Sequence, residues 1–121
     1  MKNISFALTT PQIVAQTKDV TRRLGWLTLR EGQFVQPVKK CMGLKPGEKI
    51  EKIGGPLLAV DVRRERLGAM LLGAVYGLVE CRREGFPEMT PEQFVEMFCR
   101  THKGCTPDTV ITRIEFTYAR P

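Results

Sequence analysis

Ile4, Phe6 and Leu8 alternate with Ser5 and Ala7, a period of two that predicts a first strand. Thr9-Thr10-Pro11 then carries the marks of a helix start: a hydroxyl cap and proline at the first helical position. Ile13, Val14 and Ala15 would supply the buried side of that short helix, which is expected to end near Thr17. Residues 17–23 are polar and basic, and the apolar run from Leu24 to Leu29 is expected to pack back onto the core. Glu31-Gly32 reads as a turn, Phe34, Val35 and Val38 as a strand, and Leu44-Lys45-Pro46-Gly47-Glu48 as another turn. A short alternating piece from Lys49 to Ile53 precedes the break at Gly54-Gly55-Pro56. Leu57 to Val62 has the pattern of an interior strand and runs into the charge cluster Arg63-Arg64-Glu65-Arg66.

Residues 67–83 predict a helix by length and by their Leu, Met and Ala content, although Gly68, Gly73 and Gly77 weaken the propensity. Glu84-Gly85-Phe86-Pro87 breaks it. Thr90-Pro91-Glu92-Gln93 predicts a capping box, and Phe94, Met97, Phe98 and Thr101 follow at helical spacing until Lys103-Gly104. From Thr109 to Tyr118 the alternation returns, placing Val110, Thr112, Ile114, Phe116 and Tyr118 on one face of a last strand. Strands at both ends and in the middle, with helices in the first and last thirds, predict an α+β fold, a small mixed or antiparallel barrel.

Length bounds this further. At 121 residues, one domain spanning 1–121 is expected, too small for separate cofactor and substrate domains. The formal net charge is +6, which points to an anionic partner such as nucleic acid. No apolar run is long enough to span a bilayer, which takes about 20 residues. The N-terminus has no long apolar stretch of the signal-peptide kind, so a cytoplasmic protein with reduced cysteines is expected.

The basic segment holds the candidate chemistry. Lys18 and Thr21 are three residues apart and meet only if the backbone between them turns. A threonine hydroxyl is a weak nucleophile that needs a base. Lysine can be that base only if its pKa falls well below about 10.4, through desolvation or neighbouring cations. Arg22 and Arg23 are such neighbours; a solvated basic loop is the simpler alternative.

Lys18-Asp19-Val20-Thr21-Arg22-Arg23 resembles the Gly-x-Lys-x-x-Thr-x-Arg signature of ASCH domains, relatives of the PUA RNA-binding fold. Gly25-Trp26 after the signature resembles the phage and bacterial branch. Arg83-Glu84-Gly85-Phe86 with the helix start at Thr90, and the closing Arg113 to Tyr118, follow in the family's order. One position departs: Gln16 stands where the signature has glycine, which would permit an unusual backbone angle. The resemblance implies a PUA-like barrel flanked by helices, with a cleft lined by the signature. It implies RNA or a modified nucleoside as partner and no cofactor. One branch of the family deacetylates N(4)-acetylcytidine with a Lys, a Thr and a Glu. By that likeness Lys18, Thr21 and Glu84 are the catalytic candidates, and Arg23 takes the place of the signature's terminal Arg. Arg22, Arg23 and Trp26 are carried as substrate-binding candidates. A non-catalytic RNA-binding or regulatory module is the alternative, and Glu84 then serves as a salt-bridge partner.

Trp26 is open to a second reading, core packing beside Leu24, Leu27 and Leu29. Cys99-x-x-His102-x-x-Cys105 offers three metal-ligand types, but the spacing departs from paired knuckles, and His102 is the only histidine. No metal is assigned.

Overall fold

A computed structural model describes residues 1–119. Five strands form one mixed sheet: β1 (Lys2–Ser5), β2 (Val20–Arg23), β3 (Phe34–Val38), β4 (Leu57–Arg66) and β5 (Val110–Tyr118). The spatial order is β1-β3-β4-β5-β2; β1 and β3 run parallel and the other neighbours antiparallel. Helices α1 (Thr10–Val14), α2 (Tyr76–Arg83) and α3 (Pro91–Thr101) complete an α+β fold, with a 3-10 turn over Leu67–Leu71. Among the described residues no helix is long and apolar enough to cross a membrane.

The edge strands β1 and β2 share no backbone ladder, so the sheet is open rather than a closed barrel. It curls nonetheless. β4 carries an irregularity between Ala59 and Asp61, of the kind that bends a strand. Across the remaining gap Arg23 of β2 donates from Nη2 to the Ser5 carbonyl of β1 at 2.5 Å. One apolar core, including Ile4, Phe6, Leu57, Ile114 and Phe116, lies against the sheet. A second, including Leu67, Met70, Cys81, Phe94, Phe98 and Ile111, binds the helices together.

The capping box forms as the sequence predicts. Thr90 accepts the Gln93 amide, and Gln93 accepts the Thr90 amide. Four expectations need correction. Residues 67–83 are not one helix, because Gly73 takes φ +84° and Gly68 donates its amide to the Pro107 carbonyl, so α2 starts only at Tyr76. The piece from Lys49 to Ile53 makes no strand beyond a bridge between Lys52 and Val38. β5 is not one-sided: Ile111, Thr112, Arg113 and Ile114 are all buried while Val110 is exposed, because neighbours cover both of its faces. Helix α1 buries only Ile13 and stops at Val14.

That early stop has an identifiable cause. The Gln16 amide donates to the Ile13 carbonyl at 3.2 Å and the Thr17 amide to the Gln12 carbonyl at 2.9 Å. This is the Schellman pairing, and it puts Gln16 at the left-handed position with φ +58°. Glycine takes this conformation freely, whereas an L side chain is strained there. The position where the signature has glycine is therefore the one where the backbone asks for it. The Gln16 side chain is exposed. Gln16→Gly is expected to stabilise the fold by about 0.5–1 kcal/mol. A higher urea midpoint with an unchanged slope would bear this out, and an unchanged or lower midpoint would refute it.

Candidate functional site

The Schellman turn delivers Lys18 to the end of α2. The Asp19 amide donates to the Arg83 carbonyl at 2.9 Å, and the Tyr118 hydroxyl donates to the Lys18 carbonyl at 2.6 Å. So held, Lys18 Nζ donates to the Glu84 carbonyl at 2.7 Å and to Glu84 Oε1 at 2.8 Å. A helix C-terminus, with its unpaired carbonyls and negative end, is a favourable seat for an ammonium. Gly85 completes the corner at φ +95°, packed so closely that a Cβ there would lie 2.8 Å from Gln12 Cγ.

From Val20 the chain is a strand, so Thr21 and Arg23 share one face. Arg23 Nε donates to Thr21 Oγ1 at 3.0 Å, and the guanidinium carbon stands 4.8 Å from the centre of the Phe6 ring. Lys18, Thr21, Arg23 and Glu84 line one cleft of about 190 Å³ at the gap between β1 and β2. Phe6, Phe86, Phe94, Phe98 and His102 form the apolar side. The turn before β2 thus brings Lys18 and Thr21 to one site, although a straight strand would have separated them. Their side chains make no direct hydrogen bond: Thr21 Oγ1 is held by Arg23 and Lys18 Nζ by Glu84.

Arg22 borders the cleft, but its guanidinium is engaged with α2 and β4. It meets Glu80 at 2.6 Å, Glu65 at 3.0 Å and Glu84 at 3.1 Å. It belongs to a row of three arginines, because Arg22 pairs with Arg113, and Arg113 with Arg63, across the sheet. Like charges in register repel. Helix α2 offsets this with Tyr76, Glu80 and Glu84, which are spaced four residues apart and so share one helical face. Glu80 binds Arg113 at 2.5 and 3.0 Å as well as Arg22, and Tyr76 bonds Glu65 and Arg63.

These contacts set the protonation states. Burial lowers the pKa of Lys18; Glu84 opposes that shift, and Arg23 and Arg22 add to it. The neighbouring arginines act in the direction expected from the sequence, but burial is the larger cause. Burial also pushes the Glu80 carboxyl upward, yet the hydrogen bond from Arg113 and the charge of Arg22 overcome it and hold Glu80 at about 2. Arg23 falls to about 10 through burial.

Trp26 is the one proposed site residue placed elsewhere. Gly25 and Trp26 take φ +78° and +54° in succession. The indole packs on the sheet core, with Lys2 Nζ 5.8 Å from its ring, and does not line the cleft. Among the described residues no three of His, Cys, Asp and Glu converge as metal ligands. His102 instead stacks on Phe98 at 3.9 Å, with Nδ1 at 2.8 Å from the Phe98 carbonyl. The sequence reading missed its place in the cleft wall. It also missed Glu80, whose signal was the spacing to Glu84.

No family model, no curated protein and no solved structure matches this chain.

Proposed function

We propose that the cleft recognises the base of a modified nucleoside within an ASCH-type, PUA-like domain, and that it hydrolyses an acyl amide on that base. One observation carries the reading. Lys18, Thr21, Arg23 and Glu84, drawn from segments more than sixty residues apart, converge on one small cleft with an aromatic wall. Such a pairing of an aromatic wall with a few placed polar groups suits a heteroaromatic ring. On this reading the curled sheet, bridged at its seam by Arg23, is the counterpart of the PUA-like barrel.

The chemistry follows from the contacts. The N–H of Arg23 at Thr21 Oγ1 favours the developing alkoxide. Desolvation moves Lys18 toward its neutral form, able to take the Thr21 proton. Thr21 attacks the acyl carbonyl, the C–N bond breaks, and the amine leaves with the proton returned from Lys18. Water then cleaves the acyl-threonine: Glu84 takes the water proton and returns it to Thr21 Oγ1 as the acyl–oxygen bond breaks, and the acid is released.

The test is acid release from a panel of acylated cytidines. Wild type is expected to turn over at least one. Lys18→Met and Thr21→Ala should each lose about 10²–10⁴-fold in kcat/KM. Full activity in Thr21→Ala would remove the nucleophile, and no turnover by wild type would remove the reaction. A second reading, a non-catalytic RNA-binding or regulatory module, draws support from the closed Lys18–Glu84 pair. Its mark would be binding without turnover that weakens steeply as salt rises.

A further inference from the structure

Four buried or partly buried cations, Lys18, Arg22, Arg23 and Arg113, lie along β2, its approach and the neighbouring β5. Three have a carboxylate in direct contact: Lys18 has Glu84 at 2.8 Å, Arg22 has Glu80 at 2.6 Å, and Arg113 has Glu80 at 2.5 Å. Arg23 has none among the described residues. Its two hydrogen bonds go to neutral oxygens, Thr21 Oγ1 at 3.0 Å and the Ser5 carbonyl at 2.5 Å. Neutral acceptors orient a guanidinium without cancelling its charge. The Phe6 ring adds only a partial, quadrupolar match.

The unmatched charge faces the cleft, whose lining holds the cations Lys18, Arg22 and Arg23 against the single carboxylate Glu84. Both oxygens of Glu84 are already engaged, Oε1 by Lys18 and Oε2 by Arg22. Arg23 keeps Nη1 free of protein acceptors among the described residues, beside an Nη2 bonded only to Ser5. Side-by-side N–H groups of this kind match the two oxygens of a carboxylate or phosphate. We infer that the ligand of this cleft carries an oxyanion, a carboxylate or a phosphate monoester, and that Arg23 is its anchor. The inference rests on the proposal that the cleft is the ligand site, and it goes beyond a neutral nucleoside as ligand.

Burial pulls Arg23 down to about 10, and the charge of Glu84, which is not in contact with it, opposes that shift only in part. An oxyanion at the fork would oppose the shift further, at contact distance.

The test is a titration of the ¹⁵N-labelled protein with four probes: inorganic phosphate, acetate, cytidine and cytidine 5′-monophosphate. Phosphate or acetate should shift the amides of Ser5, Phe6, Thr21 and Arg23 saturably. Response to phosphate alone assigns a phosphate ligand, and response to acetate alone a carboxylate. Where phosphate is the one that responds, cytidine 5′-monophosphate should bind at least tenfold tighter than cytidine. Arg23→Gln should abolish the anion response, and Arg23→Lys should weaken it while keeping it, which guards against a variant that merely misfolds. The inference is overturned if neither anion moves those amides in wild type, or if Arg23→Gln binds them unchanged. Cytidine seated in the cleft without any anion response sinks this inference alone. An anion response with no gain from the cytosine ring sinks the nucleoside reading and leaves the anion anchor in place.

Discussion

Glu80→Ala is expected to destabilise the protein by about 3–5 kcal/mol, since breaking a buried ion pair from one side leaves an uncompensated charge. Two arginines would be left rather than one. The Glu80 side chain is 2 % exposed and sits between Arg22 and Arg113, which face each other across β2 and β5. Glu84 and Glu65 still reach Arg22, but Arg113 would keep only Asp61 at 3.6 Å and Glu115 at 3.5 Å. Removing Arg113 together with Glu80, as Arg113→Met in the Glu80→Ala background, should recover part of the loss. A double-mutant cycle in urea would measure that coupling. A single-variant cost under 1 kcal/mol would show that the network is not a stabilising element.

The same carboxylate makes stability depend on acid. Its folded value of about 2 lies below the ordinary 4.5, so its contribution is complete above about pH 4.5. The contribution is lost as the pH falls from there toward 2, and amounts to about 3 kcal/mol. The wild-type urea midpoint should drop across that window, and that of Glu80→Ala should drop much less.

Gly77→Ala is the second large effect, and here two physical arguments disagree in sign. Helix propensity alone favours alanine by about 1 kcal/mol. Packing opposes it, because a Cβ at Gly77 would lie 2.1 Å from the Met70 carbonyl oxygen and 2.6 Å from Pro91 Cγ. One neighbour is backbone and the other a proline ring, so neither can rotate aside. The 3-10 turn, α2 and the start of α3 meet at this point, and α2 must move off the second core to admit a methyl group. Overpacking of this kind costs about 1–3 kcal/mol, and a backbone clash belongs at the upper end. A fall of roughly 10 °C in melting temperature is expected. A rise in melting temperature would mean that α2 is free to shift.

Both effects show where the sequence was and was not legible. Local rules carried far: the Thr90 capping box formed and the interior strand starts at Leu57, while the first strand lies over Lys2–Ser5, ahead of the alternation read from Ile4 to Leu8, and the last strand kept its place but not its one-sided burial. Lys18, Thr21, Arg23 and Glu84, singled out in the sequence, line one cleft. What failed depended on partners distant in sequence. Gly77 looked like a weak helix residue because only the fold shows what its missing side chain would strike. Glu80 looked like an ordinary helix carboxylate because Arg113 is thirty-three residues away and becomes its neighbour only where α2 lays Glu80 against β5. Trp26 was open to two readings, substrate binding and core packing, and the fold meets the second: the two left-handed residues turn the chain so that the ring packs on the core. At Gln16 the sequence marked a special position by its departure from the signature, and the strain there became visible only as a positive φ.

The bond from Arg23 to the Ser5 carbonyl has a consequence for motion. Where two strands are joined by a ladder, several backbone hydrogen bonds must break together before they part. Here the strands at the seam are joined by one side chain. That one bond can break without breaking those that hold each strand to its own neighbour. The fold therefore wears a clasp rather than a weld along one flank. The side chain that closes the seam also lines the cleft, so a ligand that competed for its N–H groups would bear on the joining of the two edge strands as well.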